Sequence, residues 1–335
     1  MPQNGSGVKR NPTMRVFVYE YMTATGTGRE PGSPAHGMYL EGRAMRDAVV
    51  DDFTRIPGVE VWSFPDDAAP CNDDLFLNEV ERSDRQILIA PELGGNLLAQ
   101  AILNATKGNA IGLSLETIRL TSDKLALSEH WRAHGIPTPA TTDREPTACE
   151  AFPVVWKPRD GAGSTDTFLI RDRFGLATAL AARHPYRSMI LQEFVPGRAA
   201  SVAFLCGPRK TVPLLPTFQL LGDDGRFKYE GGELPIPPDL AARAAGLGRR
   251  AVACVPGLLG YVGVDLVLGD APDGSRDSAI EINPRLTTSY IGLRALADFN
   301  IADVMLRVAA GEEVGALRWK PGRVRFGPDG AVCAI

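Results

Sequence analysis

The sequence predicts a mixed fold: an N-terminal parallel α/β domain followed by an antiparallel-rich α+β body. Three observations carry that reading. Up to about residue 110, short apolar runs alternate with stretches of helical periodicity. Beyond it, strand-like runs follow one another across short turns with two helices interspersed. At 335 residues the chain exceeds one ordinary core, so two or three packed units are expected.

Taken in order, the first dozen residues, MPQNGSGVKRNP, are polar and read as a disordered leader over 1–13. Met14–Tyr21 (MRVFVYEY) is a buried strand, and the Gly/Thr/Pro/Ser-rich 23–34 a long loop. Tyr39–Phe53 carries a helical pattern, Val59–Phe64 a second strand, and Leu75–Val80 a short helix. Gln86–Ala90 is a third strand, ending in the turn-rich PELGG, and 107–113 a further strand. Ser114 caps a short helix, and Thr121 or Ser122 a longer one, 123–134, stopped by Gly135 and Pro137. Strands are then expected at 153–157, 167–170, 189–194, 200–206, 212–215, 261–268 and 279–283, with helices at 176–183 and 238–255. This divides the chain into a leader, an N-terminal domain over 14–110, and a body over 111–335.

Composition is that of a soluble globular protein, 44% hydrophobic and 23% charged, with a formal net charge of −4. That charge offers no general basic field for nucleic acid or acidic membranes, and it points to small-molecule partners. The five cysteines are odd in number, none forms CxxC, and the four histidines show no paired spacing near them. A disulfide framework or zinc site is therefore not expected. With no apolar signal segment and no run of roughly 20 apolar residues, the expected location is the cytoplasm.

Three clusters carry chemistry. In the first, YVGVDLVL and AIEINPR flank a short turn and should pair antiparallel, bringing Asp265 within one or two residues of Glu281. Glu281 and Asn283 share a strand face, so two carboxylates and an amide oxygen converge as ligands suited to Mg²⁺. The alternative is that the carboxylates edge a sheet and pair with arginines. Arg285 beside them suits a phosphate or carboxylate, with a plain surface arginine as the alternative. In the second cluster, PVVWKPRDGAGSTD, Lys157 ends an apolar strand before Gly161, Gly163 and Ser164, whose backbone N–H groups can face anionic oxygens. An ordinary hairpin is the rival. The third is ILQEFVPG, where Gln192, Glu193, Phe194 and Val195 suit an adenine pocket or simply cap a strand. Lys124, in a first helical turn, either reaches phosphate or is solvated. No Walker A loop is present, and Gly26-Thr27-Gly28 fails as a dinucleotide fingerprint because Pro31 takes the third glycine position.

Together and in order, TSDKLALSEHWRAHGIPTP, VVWKPRDGAGS, LQEFVPG, GVDLVL and EINPR resemble the ATP-grasp superfamily over roughly residues 105–295. The resemblance implies a two-subdomain ATP-grasp fold behind the α/β domain, with a first subdomain over 111–186 including a glycine-rich lid and a second over 187–335. It implies ATP, with Mg²⁺ (or Mn²⁺ in its place), as cofactors. Lys124 and Lys157 would hold phosphates, Gln192, Glu193 and Val195 the adenine side, and Asp265, Glu281 and Asn283 the metal. Arg285 would stabilise the transferring phosphoryl. The implied reaction forms an acyl phosphate from a carboxylate and then an amide with an amine, releasing ADP and phosphate. More narrowly, VFVYEY, IAPELGGNLL and EINPRLTTSYIGL resemble the branch containing tyramine–glutamate ligase of methanofuran biosynthesis. One departure is clear: Arg198-Ala199 stand where many members carry an acidic residue that contacts ribose.

Glu20 and Glu92 end strands where α/β domains place ligand loops, and either is a candidate for the amine. Thr287, Thr288, Ser289 and Tyr290 are candidates for the acceptor. A homodimer is the prior expectation. Rival readings are an ATP-grasp carboxylase or phosphotransferase and a non-catalytic ATP-binding regulatory protein.

Overall fold

A computed structural model of the chain describes residues 13–106, 109–146, 151–183 and 187–335, so Cys149 and all but the last residue of the expected leader fall outside the described residues. β1 (Met14–Glu20) leads through α1 (Tyr21–Thr25) and α2 (His36–Thr54) to β2 (Val59–Trp62), and α3 (Asp73–Arg82) leads to β3 (Arg85–Ile89). The three strands form a parallel sheet in the order β2-β1-β3. Val16, Phe17, Val18 and Tyr19 are all buried, as expected of a strand covered on both faces. On α2 the buried positions Tyr39, Gly42, Met45, Val49 and Phe53 recur at helical spacing. A single 3₁₀ turn, Leu93–Gly95, then opens α4 (Asn96–Asn104), a helix the sequence reading passed over at its Gly-Gly turn signal. Of the strand expected over 107–113, residues 107 and 108 lie outside the described residues, and the described part makes one bridge, Gln86 to Ala110.

Two helices follow, α5 (Leu115–Ser122) and α6 (Lys124–Ala133). Ser114 caps the first as expected, but the cap of the second is Asp123, which accepts from the N–H of Leu125 and Ala126. Thr121 and Ser122 are still in the last turn of α5, where the Thr121 hydroxyl donates to the Thr117 carbonyl at 2.7 Å. A four-stranded sheet is then built from β4 (Thr141–Thr142), β5 (Val154–Pro158), β6 (Phe168–Ile170) and, after α7 (Arg173–Ala182), β7 (Met189–Glu193). Its order is β4-β7-β5-β6, and it has its own small core around Trp156, Phe168, Ile170 and Leu176.

The rest of the chain comprises β8 (Arg198–Cys206), β9 (Thr211–Pro213), β10 (Thr217–Leu221), β11 (Tyr229–Leu234), α8 (Pro238–Ala253), β12 (Gly260–Leu268), β13 (Ser278–Asn283), α9 (Ser289–Leu296), α10 (Ile301–Ala309), β14 (Val324–Phe326) and β15 (Val332–Ala334). Its strands form an eight-stranded sheet ordered β13-β12-β8-β10-β11-β14-β15, with β9 on β8. Period-two alternation on β8 divides two cores. Ala203 and Leu205 face the N-terminal layer with α9 and α10, alongside Val16, Val49, Leu293 and Met305. Val202 and Phe204 face α4, α5, α6 and α8, alongside Leu97, Ile118, Trp131 and Leu247. Trp131 is fixed there by its Nε1–H, which donates to the Ala251 carbonyl at 3.1 Å. Among the described residues, no helix is long and apolar enough to cross a membrane.

Candidate active site

A cleft of about 470 Å³ is lined by the four-stranded sheet, the large sheet and the loop after β5. Its floor is the β12–β13 hairpin, in which Asp265 pairs directly with Glu281 and a bulge follows at Leu266. Two amides hold the Asp265 carboxylate: Gln219 Nε2 donates to Oδ1 at 3.0 Å, and Asn283 Nδ2 to Oδ2 at 3.1 Å. Burial, reinforced by Glu281, pushes the Asp265 carboxyl up. Burial acts on Glu281 too, but Lys124 and Lys157 outweigh it and hold that carboxyl below its ordinary value. Lys124 Nζ lies 3.5 Å from Glu281 Oε2 and donates to the Gly161 carbonyl at 2.9 Å. Two half-buried carboxylates beside an amide form an oxygen donor set that fits a hard divalent cation.

The loop from Asp160 to Thr165 roofs the cleft. Gly161 and Gly163 take φ of 128° and 68°, conformations that side chains resist. The loop touches the N-terminal layer: a β-carbon on Gly163 would sit 3.7 Å from Met38 Cγ, and Gly94 N donates to Asp160 Oδ2 at 3.1 Å. At its base, Arg159 grips Asp123 through two hydrogen bonds of 2.8 and 2.6 Å, tying β5 to the start of α6 and setting Lys124 beside Lys157. Lys157 is buried, and burial together with Lys124 pulls its ammonium down to about 8 against the opposing pull of Glu281 and Asp265.

Gln192, Glu193, Phe194 and Val195 line the far wall, with the Gln192 amide donating to Thr141 Oγ1 at 3.0 Å and Glu193 exposed at the rim. Gly197 is obligatory, because a β-carbon there would fall 2.4 Å from the Leu268 carbonyl oxygen. The Arg198 guanidinium lies 3.5 Å over the Phe218 ring, and Ala199, which lines the cleft, pairs with Val267.

Arg285 lines the cleft and is held from the N-terminal layer by Glu92, which accepts from its NH2 at 3.2 Å and lies 3.1 Å from its Nε. Glu92 is therefore a partner of Arg285 and does not itself line the cleft, contrary to its expected contact with an amine. Glu20 is also corrected: it is buried, capping α1 through the N–H groups of Met22 and Thr23. Tyr290 turns away from the cleft, and its hydroxyl donates to Asp52 Oδ2 at 2.6 Å. Thr287, Thr288 and Ser289 do line it. The Thr288 hydroxyl donates to Glu41, a cleft-lining carboxylate of α2 whose proton affinity burial raises, although Thr288 and Arg285 oppose the rise. Sequence reasoning missed Glu41, Gln219 and Tyr229. The last two sit on unanticipated strands, and nothing in LEGRAM distinguishes Glu41 from a solvated helix residue.

Comparison with known proteins meets this geometry directly. The sequence profile described as the ATP-grasp domain matches residues 121–289, half of the chain. The chain belongs to the ATP-grasp family. Tyramine–L-glutamate ligase of Methanocaldococcus fervens is 27% identical over 323 residues, covering 89% of this chain and 95% of that protein. D-alanine–D-alanine ligase of Albidiferax ferrireducens is 34% identical over 203 residues, 57% of this chain and 55% of that one. Among solved structures, an ATP-grasp superfamily protein from Archaeoglobus fulgidus superposes with a TM-score of 0.71 at 27% identity, covering 93% of this chain and 92% of its own. The match to the ATP-grasp profile runs from the last turn of α5 to the start of α9 and so contains Lys124, Lys157, Asp265, Glu281, Asn283 and Arg285. Glu41 and Glu92 lie outside it, in the N-terminal layer.

Proposed function

We propose that the chain is a Mg-ATP-dependent ligase that joins a carboxylate to an amine through an acyl phosphate, with glutamate and tyramine as the first pair to test. The observation that carries this reading is the convergence of three cations, Lys124, Lys157 and Arg285, with Asp265 and Glu281 under one glycine loop. Among the described residues lining the cleft there is no histidine or cysteine, so the chemistry is assigned to positioning and charge rather than to a protein nucleophile.

Magnesium held by Asp265, Glu281 and Asn283 would neutralise charge on the phosphate oxygens. Lys124 and Lys157 bind the phosphates, and Phe194 and Val195 cover the base. The substrate carboxylate oxygen attacks the γ-phosphorus and ADP leaves, while Arg285, aimed by Glu92, stabilises the transferred phosphoryl. The amine nitrogen then attacks the acyl carbon and phosphate leaves. Glu41, with its raised proton affinity, is placed to receive a proton from the incoming ammonium. The roof loop keeps water from the acyl phosphate.

The test measures ADP and phosphate release from Mg-ATP and glutamate, with and without tyramine, followed by the mass of the product. Amine-dependent release with a condensed mass, lost in Glu281→Ala, supports the proposal. Release with other carboxylate and amine pairs only would move the substrate assignment. Bicarbonate-dependent release, a stable phosphorylated product, or nucleotide binding with no turnover on a broad panel would overturn the ligase reading.

The Lys157 ammonium adds a pH prediction. With its pKa pulled down to about 8, the free protein carries the charge below that pH and must take up a proton to bind phosphate above it. Mg-ADP affinity is expected to fall as pH rises past 8, toward about tenfold per unit. Calorimetry at pH 9 in two buffers of different ionisation enthalpy should detect proton uptake. Affinity flat from pH 7 to 9.5 would contradict it.

A further inference from the structure

We propose that His130, His134 and Cys254 form a binding site for a borderline-soft divalent ion of the zinc class, separate from the nucleotide cleft. His130 and His134 stand four apart at the end of α6, the spacing that puts two imidazoles on one helix side. Cys254 caps the end of α8, and the fold brings it to His130 across 124 positions of sequence. The sequence reading saw no histidine pair near a cysteine because the chain separates them.

One ligand atom from each residue lies within 4.8 Å of the other two. Tetrahedral zinc with bonds of about 2.0–2.3 Å sets its ligand atoms about 3.3–3.8 Å apart, so side-chain shifts of about an ångström close the set. The rings are already held by carbonyls. His130 Nε2 lies 2.8 Å from the Cys254 carbonyl oxygen, and His134 Nδ1 lies 2.8 Å from that of His130. A carbonyl only accepts, so those nitrogens carry hydrogen, and each neutral ring keeps its other nitrogen as a lone pair. Backbone carbonyls fix metal-bound imidazoles in the same way. The two ring centroids lie 4.3 Å apart with their planes tilted by 35°, and all three residues reach the surface, which gives an ion a path in. His134 is ten positions from Lys124, about 15 Å along α6, so the site is distinct from the cleft. Nitrogen and thiolate ligands select zinc, cobalt or nickel over the hard magnesium ion expected at Asp265 and Glu281.

The test is Co²⁺ titration of the untagged full-length chain, followed by absorbance. One equivalent should give a thiolate-to-cobalt charge-transfer band with tetrahedral d–d bands, displaced by Zn²⁺. Cobalt at an all-oxygen site gives no thiolate band, so binding at the cleft is distinguishable. Cys254→Ser should abolish the band, and His134→Ala, at an exposed position, should weaken Co²⁺ binding at least about tenfold with circular dichroism unchanged. No thiolate band in the unaltered protein, a band that survives Cys254→Ser, or unaltered affinity in His134→Ala would overturn the proposal.

Discussion

Arg285→Ala is expected to lower turnover by about a thousandfold, the scale on which an arginine at a transferring phosphoryl acts. Mg-ADP affinity should change far less, because Lys124, Lys157 and the base-covering wall remain. The side chain is largely covered, with Glu92 as its carboxylate partner, and that ion pair keeps its fork in one place. Removing Arg285 alone also strands Glu92, a buried charge, so folding must be followed separately. The double variant Arg285→Met/Glu92→Gln removes both charges. It should recover thermal stability lost in Arg285→Ala without recovering turnover. Arg285→Lys keeps the charge but loses the planar fork, and it should regain only part of the rate. Turnover within tenfold of the unaltered protein in Arg285→Ala would remove Arg285 from the proposed chemistry. Measuring kcat alongside calorimetric ADP affinity gives the separation required.

What the sequence disclosed depended on how local the signal was. The hairpin carrying Asp265 and Glu281 was legible because two apolar strands across a short turn have one natural pairing, and the structure pairs those two residues directly. Lys157 was legible for the same reason, as a charge ending an apolar strand before glycines. Its neighbour in the cleft, Lys124, depended on a cap that was misplaced: Asp123 lay inside the expected helix, while its carboxylate both caps α6 and receives Arg159. Contacts across the chain were not legible. Glu92 looked like a free loop carboxylate until the fold placed Arg285, 193 positions away, against it. Glu20 ended a strand where ligands often sit, but a tight helix start used both of its oxygens. β10 and β11 were missed, which concealed Gln219 and Tyr229. Strand pairing there runs through Gly231 and Gly232, and a strand with two glycines against the Phe326 region gives little apolar alternation to read.

Asp52→Ala is expected to cost about 3–5 kcal/mol of stability, the scale for removing one partner of a buried charged network. At about 2–4 °C per kcal/mol, that is a fall in Tm of about 6–20 °C. Asp52 is buried on α2, in the N-terminal layer, and besides nearby Arg55 its partners belong to the far end of the chain. Tyr290 donates to Oδ2 at 2.6 Å, Arg294 NH2 to Oδ1 at 2.8 Å, and Asn300 Nδ2 to the backbone carbonyl at 2.7 Å. Without the carboxylate, the Tyr290 hydroxyl is left buried with no acceptor, and Arg294 keeps only the half-exposed Asp51. Asp52→Asn retains an acceptor for Tyr290 while losing the charge, so it should fall between the two, and differential scanning calorimetry of all three proteins orders them. The effect should reach the cleft as well. α2 carries Glu41 and α9 follows directly on Thr288, so the Asp52 contacts join the elements on which the Glu41–Thr288 hydrogen bond depends. Asp52→Ala should therefore raise the KM for amine more than that for ATP, whose phosphate ligands stand on β5, α6 and the β12–β13 hairpin. A Tm within 2 °C of the unaltered protein, or equal rises in both KM values, would show that this network does not set the position of α2 against α9.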